Sequence, residues 1–375
     1  MILESIKYAE FKGTNKEWSL THPNLGKVNL IVGKNASGKT RTVNIISSLS
    51  NLLSGKVKPN LQSSDYNVVF KDKGVDIQYK FIIAESKVVS EELIKNRKIL
   101  LKRNKGGKGK IVTYPSNKSV NFQTPDSELT SNVRRDSVQH PFFEDLYSWS
   151  SKLHLYRFGK EMGQDKLMLS KQDVVNEPKL KEAEGVFATF KEGKEKYGMK
   201  FVNSVIKDMG SIGYNLEYIK IDKPTNIVAN MELLCLVIKE RDIIKPISQL
   251  EISTGMFRAL SLIIQINYYA FASKQNCILI DDIGEGLDFD RATKLIEIII
   301  KKAENSDTQL IMSTNDRFVM NNVPLKYWSI IQRNNKGSKI FNYQNSKKIF
   351  DEFEFTGLNN FDFFSKDFFE KGFKK

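Results

Sequence analysis

The apolar run Val28 to Val32 leads directly into Gly33-Lys34-Asn35-Ala36-Ser37-Gly38-Lys39-Thr40, and this junction constrains the chain more than any other feature. The octet fits G-x-x-x-x-G-K-[ST], in which glycines let backbone amides curl round a phosphate, a lysine neutralises its oxygens and a hydroxyl ligates Mg²⁺. Lys39 and Thr40 take those two roles. Arg41 to Leu49 has the apolar spacing of a helix, so the phosphates would sit at a helix N-terminus, where dipole and free N–H groups both favour anions. Strand, glycine loop and helix in this order predict an α/β protein that binds ATP or GTP. The expected nucleotide contacts on this segment are Gly33, Lys34, Asn35, Ala36, Ser37, Gly38, Lys39, Thr40 and Arg41.

A chain of 375 residues with 40% hydrophobic content can build a sizeable core, as one large α/β domain or two smaller ones. No stretch approaches the roughly 20 apolar residues of a membrane span, and Met1-Ile2-Leu3-Glu4-Ser5 lacks a basic region followed by an apolar one. A soluble, cytoplasmic protein without a membrane partner is expected. Cys235 and Cys277 lie in apolar runs and read as core residues. His22, His140 and His154 have no metal-ligand spacing, so a self-contained metallonuclease is not visible.

The formal charge of +14 suggests a polyanionic partner. Lys95, Arg97, Lys98, Lys102, Arg103, Lys105, Lys108 and Lys110 crowd one acid-free span whose glycines, Gly106, Gly107 and Gly109, suggest a mobile hairpin tip. It reads either as a contact for a nucleic-acid backbone or as a solvated loop.

Residues 1 to 50 read as strand, strand, phosphate loop and helix. Tyr66 to Phe70, Ile77 to Ile83 and Lys110 to Tyr114 read as an antiparallel β subdomain, and Leu153 to Phe158 as a further strand. Residues 123 to 150 carry few periodic signals. Residues 174 to 212 read as helical, interrupted at Gly185, Gly193 and Gly198, without the sustained heptads of a long coiled coil. Leu233 to Ile238, Cys277 to Ile280, Gln309 to Met312 and Trp328 to Ile331 have the continuous apolar character of buried parallel strands, alternating with helices at Phe257 to Ala272 and Arg291 to Ala303.

Cys277-Ile278-Leu279-Ile280-Asp281-Asp282 supplies a buried strand ending in acid, which such a fold needs to hold Mg²⁺. Asp281 is the metal candidate beside Thr40. Asp282 would orient or deprotonate the attacking water.

These residues resemble the ABC-type ATPases, in their RecF, SMC and OLD-nuclease branch. Leu279 to Asp288 is similar to that branch's Walker B motif running into a D-loop, and Ile252-Ser253-Thr254-Gly255-Met256-Phe257-Arg258 resembles its signature motif. The resemblance implies that Ser253 and Gly255 grip the γ-phosphate of ATP held by an opposite subunit, in a homodimer or higher homo-oligomer. It covers about 1 to 50 and 247 to 335. Three departures stand out: the usual catalytic glutamate is Asp282, which could shift the role to Glu285; the switch histidine is replaced by Asn315, which donates a hydrogen bond but carries no charge; and Gln62 and Gln78 are only guesses for the Q-loop glutamine. A slow, switch-like ATPase is expected.

By this reading 1–64 and 231–345 form an ABC-type P-loop ATPase core, 65–230 an inserted β and helical subdomain, and 346–375 an aromatic tail. The tail would cap the core or dock another protein. The stretch after Asn315 is too short for the Toprim nuclease domain of OLD-type proteins, and the helical insertion too short for an SMC arm. The chain therefore resembles stand-alone ATPase subunits of bacterial anti-phage systems, which act with a separately encoded effector, a nuclease or toxin. A RecF-like DNA repair ATPase and a non-hydrolysing ATP-locked scaffold are the alternatives.

Overall fold

The computed structural model describes residues 1–158, 169–170, 185–225, 233–272 and 275–373. The chain opens with β1 (Ile2–Glu10), β2 (Trp18–His22), β3 (Val28–Val32) and α1 (Lys39–Leu53). A meander follows: β4 (Ser63–Asp72), β5 (Val75–Ala84), β6 (Lys87–Lys95), β7 (Lys98–Arg103), β8 (Lys108–Thr113) and β9 (Lys118–Gln123). Next come α2 (Thr130–Val133), α3 (Phe142–Ser150), β10 (Leu153–Arg157), β11 (Leu169–Ser170), α4 (Val186–Ser211), β12 (Leu216–Asp222), β13 (Leu233–Glu240) and β14 (Ile247–Ser248). The last part holds α5 (Thr254–Ala272), β15 (Asn276–Asp281), α6 (Phe289–Glu304), β16 (Thr308–Ser313), α7 (Arg317–Asn322), β17 (Trp328–Asn334), β18 (Gly337–Asn342), α8 (Tyr343–Glu354), α9 (Asn360–Ser365) and α10 (Phe368–Lys371). This is the mixed α/β fold expected.

One 14-stranded sheet runs β10-β15-β16-β3-β17-β18-β2-β1-β4-β5-β6-β7-β8-β9. Its first five strands are parallel. β3, β15 and β16 are buried along their whole length, as strands covered on both faces must be. β4 alternates buried and half-buried residues instead, because only one face of the antiparallel half is covered. α1 and α3 cover one face, with Ile46, Leu49 and Phe143 against Leu279 and Ile311. α4, α5 and α6 cover the other, with Phe201, Ile263 and Ile296 against Ile278 and Leu310. Cys235 and Cys277 are buried free thiols.

Several sequence readings change. Leu233 to Ile238, expected in the parallel sheet, pairs antiparallel with β12 in a separate four-stranded sheet. Its apolar run is the same because α4 and α5 bury Leu236 and Ile238 in the main core. β10 falls within the block read as an insertion yet forms the edge of the parallel half beside β15, and the 64/65 boundary lies inside β4. Residues 123 to 150 conceal α3, whose Phe142, Phe143, Leu146 and Trp149 are all buried. The expected mobile tip at Gly106 and Gly107 is pinned: Gly107 is buried and its carbonyl accepts from the Thr124 amide at 3.0 Å. α4 breaks at Gly198 (φ 62), which lets Phe201 close on Gly193, where a Cβ would lie 2.6 Å from the ring. In the tail, Phe350, Phe353, Phe363 and Phe369 cap the core, while Phe355 is 90% exposed. No helix among the described residues is long and apolar enough to cross a membrane.

Candidate functional site

β3 gives way to Gly33, where a side chain is impossible: a Cβ would lie 2.5 Å from Ser37 Oγ and 2.6 Å from the Ile331 carbonyl. Positive φ at Ala36 (60) and Gly38 (112) then curls the backbone into α1. Gly38 caps α1 without a side chain, so no side chain competes for the helix's first amides. Ser338 Oγ donates to the Ser37 carbonyl at 2.8 Å, and the buried Ser37 hydroxyl has no protein partner. Lys39 is buried and folds back over the loop, donating to the carbonyls of Gly33 at 2.7 Å and Lys34 at 3.3 Å. Burial lowers its pKa, against the opposing pull of Asp282 and Asp281. Lys34, Asn35 and Ala36 are exposed. Lys34 lies 3.3 Å from Asp367 of the tail. Arg41 turns to Glu10 and stacks 3.6 Å above Trp18, so its charge is engaged beside the loop rather than within it.

Asp281 closes β15 beside this helix. Thr40 Oγ1 donates to its Oδ1 at 3.3 Å, and Ser313 Oγ, at the end of β16, donates to the same oxygen at 2.5 Å. Asp282 adopts a left-handed φ of 56, which costs a non-glycine residue about 1–3 kcal/mol and aims it away from the strand. Its amide donates to Ser313 Oγ at 3.0 Å, and Asn315 Nδ2 donates to its carboxylate at 3.4 Å. Asp281, Asp282 and Asn315 therefore meet at the carboxyl ends of β15 and β16. Glu285 is exposed on the next turn, where its carbonyl accepts from Arg258 Nη1 at 2.8 Å. Asp288 caps α6 by accepting from the Arg291 amide at 3.1 Å.

Ser253 is exposed and accepts from the Met256 amide at 3.3 Å, opening α5. Gly255 is pressed against the 282–288 loop: a Cβ there would lie 2.7 Å from the Gly286 carbonyl. Arg258 is buried against the same loop, and a Cβ on Gly286 would meet it at 2.6 Å. Among the described residues no hydrogen bond links Ser253 or Gly255 to the chain's own phosphate loop. Gln62 is exposed before β4 and Gln78, on β5, donates to Asn67 of β4, so both Q-loop candidates belong to the antiparallel half.

The basic span divides. Arg103 is buried, bonded to Glu91 at 2.6 Å and to Asp126 at 3.2 Å, and Lys95 pairs with Asp145 at 2.7 Å. The span lacks acids of its own but meets them across the fold, so these two cations are not surface contacts for an anion. Lys98, Lys102, Lys105, Lys108 and Lys110 remain exposed, with Lys102 and Lys110 in register on β7 and β8.

Sequence reasoning missed Ser313 and Arg157. Arg157 is the register partner of Asp281 and donates to Asn44, one turn along α1 from Thr40, at 3.3 Å. The only signal is positional: Arg157 and Ser313 close the short strand-like runs 153–157 and 309–313, as Asp281 closes its own.

Hard oxygen donors from Thr40 and Asp281, a lysine seated on a glycine loop and bare helix amides fit a nucleoside triphosphate with Mg²⁺. No protein-family model and no curated protein sequence matches the chain. Its fold is that of SMC head domains. An SmcHead bound to the C-winged helix domain of ScpA is 13% identical, with TM-score 0.53, covering 93% of this chain and 100% of that one. The Pyrococcus furiosus Smc head domain with an extended coiled coil, bound to the C-terminal domain of ScpA, is 13% identical with TM-score 0.50, covering 94% and 99%.

Proposed function

We propose that this chain binds ATP with Mg²⁺ and hydrolyses it slowly, as an ABC-type ATPase subunit that clasps ATP between two copies. Lys39, Thr40, Asp281 and Asp282 would come from one protomer, and Ser253 and Gly255 from the other. The convergence of Lys39, Thr40, Asp281, Asp282 and Asn315 on the carboxyl ends of β3, β15 and β16 carries the reading. Thr40 and Asp281 would hold Mg²⁺, which neutralises charge on the phosphates when bound. Lys39 exchanges its loop carbonyls for phosphate oxygens. Asp282 accepts the proton of the attacking water, and Asn315 fixes that carboxylate by donating to it. Asn315 brings no charge to the γ-phosphate, which favours a slow switch over a fast motor.

The subunit serves as sensor or scaffold for a separately encoded effector, a nuclease or toxin, in bacterial anti-phage defence. Destructive chemistry is assigned to the partner; among the described residues no group of three or more His, Cys, Asp and Glu comes together as a metal site. The purified chain should turn over ATP slowly, associate in sedimentation only when ATP is present, and copurify with the product of its neighbouring gene. Robust Mg²⁺-dependent nuclease activity that is lost in an active-site variant of this chain would overturn the two-component reading. Zero turnover with ATP-dependent association would favour the locked scaffold.

The exposed lysines of β7 and β8 favour a second reading, a RecF-like DNA repair ATPase. Reversing Lys102, Lys105, Lys108 and Lys110 should then flatten the salt dependence of duplex binding, each phosphate contact releasing about 0.9 counterion. An unchanged slope returns the span to a solvated surface.

A further inference from the structure

We infer that Ser313 is a positioning residue that sets both aspartates of the site and, through Asp281, the affinity for the divalent ion that accompanies the nucleotide. The inference rests on the ATP reading above. Ser313 ends β16 and is fully buried. A hydroxyl has one proton and two lone pairs, and here one orientation uses both kinds of capacity. The proton goes to Asp281 Oδ1 at 2.5 Å, while a lone pair accepts the Asp282 amide at 3.0 Å.

Thr40 reaches the same Oδ1 at 3.3 Å. Two hydroxyls on one oxygen fix the rotation of the carboxylate about its Cβ–Cγ bond, and so fix where Oδ2 faces. The amide contact holds the peptide at which the chain swings into the left-handed turn of Asp282. The turn is braced on both sides of that contact. The Ile283 amide donates to the Ser313 carbonyl at 2.9 Å, and Thr314 Oγ1 donates to the Ile283 carbonyl at 2.9 Å. Mg²⁺ demands near-ideal octahedral geometry, so a carboxylate free to rotate weakens the metal before it weakens the phosphate cradle of 33–40.

The test uses the full chain as wild type, Ser313→Ala, Ser313→Thr, Asp281→Asn and the Ala/Asn double variant. Nucleotide affinity is titrated in chelator, and Mn²⁺ affinity of the ADP-loaded protein is read by electron paramagnetic resonance. Ser313→Ala should weaken Mn²⁺ binding by about 10-fold or more, the usual cost of losing a group that orients a metal ligand. It should leave metal-free nucleotide affinity within about twofold. Ser313→Thr should restore the metal, and in the Asp281→Asn background Ser313→Ala should change nothing further, since the effect passes through Asp281. Unchanged Mn²⁺ affinity, an equal loss with and without metal, or full additivity with Asp281→Asn would overturn the inference. Should Ser313→Ala fail to fold, Ser313→Cys, whose thiol is a weak donor, takes its place. A wild-type chain that binds no nucleotide would instead overturn the ATP reading itself.

Discussion

Replacing Lys39 with alanine tests the nucleotide site at its firmest point. In the free protein Nζ donates to two loop carbonyls, at 2.7 and 3.3 Å, and both contacts are lost. The loss is largely offset, because burial already lowers the Lys39 pKa and deleting the charge removes that desolvation cost. The free protein should therefore unfold within about 1 kcal/mol of wild type. The triphosphate complex has no such compensation. A charged hydrogen bond in a sheltered site is worth about 1.5–3 kcal/mol, or about 10- to 150-fold in affinity. At an ATP concentration 100 times the wild-type Kd, bound nucleotide stabilises wild type by about 2.7 kcal/mol; after a 100-fold loss the same concentration contributes only about 0.4 kcal/mol. Thermal unfolding with and without ATP reads both quantities in one experiment. A Lys39→Ala protein that keeps the wild-type ATP-induced stabilisation would refute the assignment of the loop.

Asp282→Asn should retain ATP binding, abolish turnover and accumulate the ATP-bound pair of subunits, because only the base is lost; normal hydrolysis would move the role to Glu285. Arg103→Leu should lower stability by about 3–5 kcal/mol in urea denaturation, since it strands the buried Glu91 carboxylate; a loss under 1 kcal/mol would show that the pair is dispensable. His22 and His154 are both pushed down to about 4 by burial. From pH 6.5 towards 4 the unfolded chain binds protons that the folded chain refuses, so stability falls with falling pH, by about 1.4 kcal/mol per histidine per unit. His154→Phe, which keeps an aromatic ring against Tyr269, should shrink the difference between urea midpoints at pH 7 and 4.5; an undiminished difference refutes the role of this histidine.

The parts of this molecule that are legible in the sequence are those whose cause is local. Gly33 and Gly38 advertise the loop because the backbone there admits no side chain or needs positive φ, and Asp281 is marked by the apolar strand before it. Leu233 to Ile238 has the sequence of a parallel strand and the pairing of an antiparallel one, because a short apolar run reports burial and not the direction of its neighbours. Arg103 looks like surface charge in the sequence because its acidic partners Glu91 and Asp126 arrive from β6 and from the loop after β9. Ser313 is marked in the sequence only as the end of an apolar run, since its importance lies in two strands ending at the same height.

The phosphate loop and the exposed lysines of β7 and β8 belong to one uninterrupted backbone ladder, whereas the small sheet of β11 to β14 joins the body without sharing that ladder. Ladder bonds resist sliding, because displacement breaks directional contacts. The small sheet is held to the body instead by the buried apolar contacts of Leu216, Ile219, Leu236 and Ile238, which are not directional. β14 runs within a few residues into Ser253, so the segment proposed to meet another protomer's nucleotide is tied to the small sheet through the chain and to the large one through Gly255 against Gly286. Any displacement between the two sheets would therefore have to be taken up in the short stretch between Ser248 and Gly255.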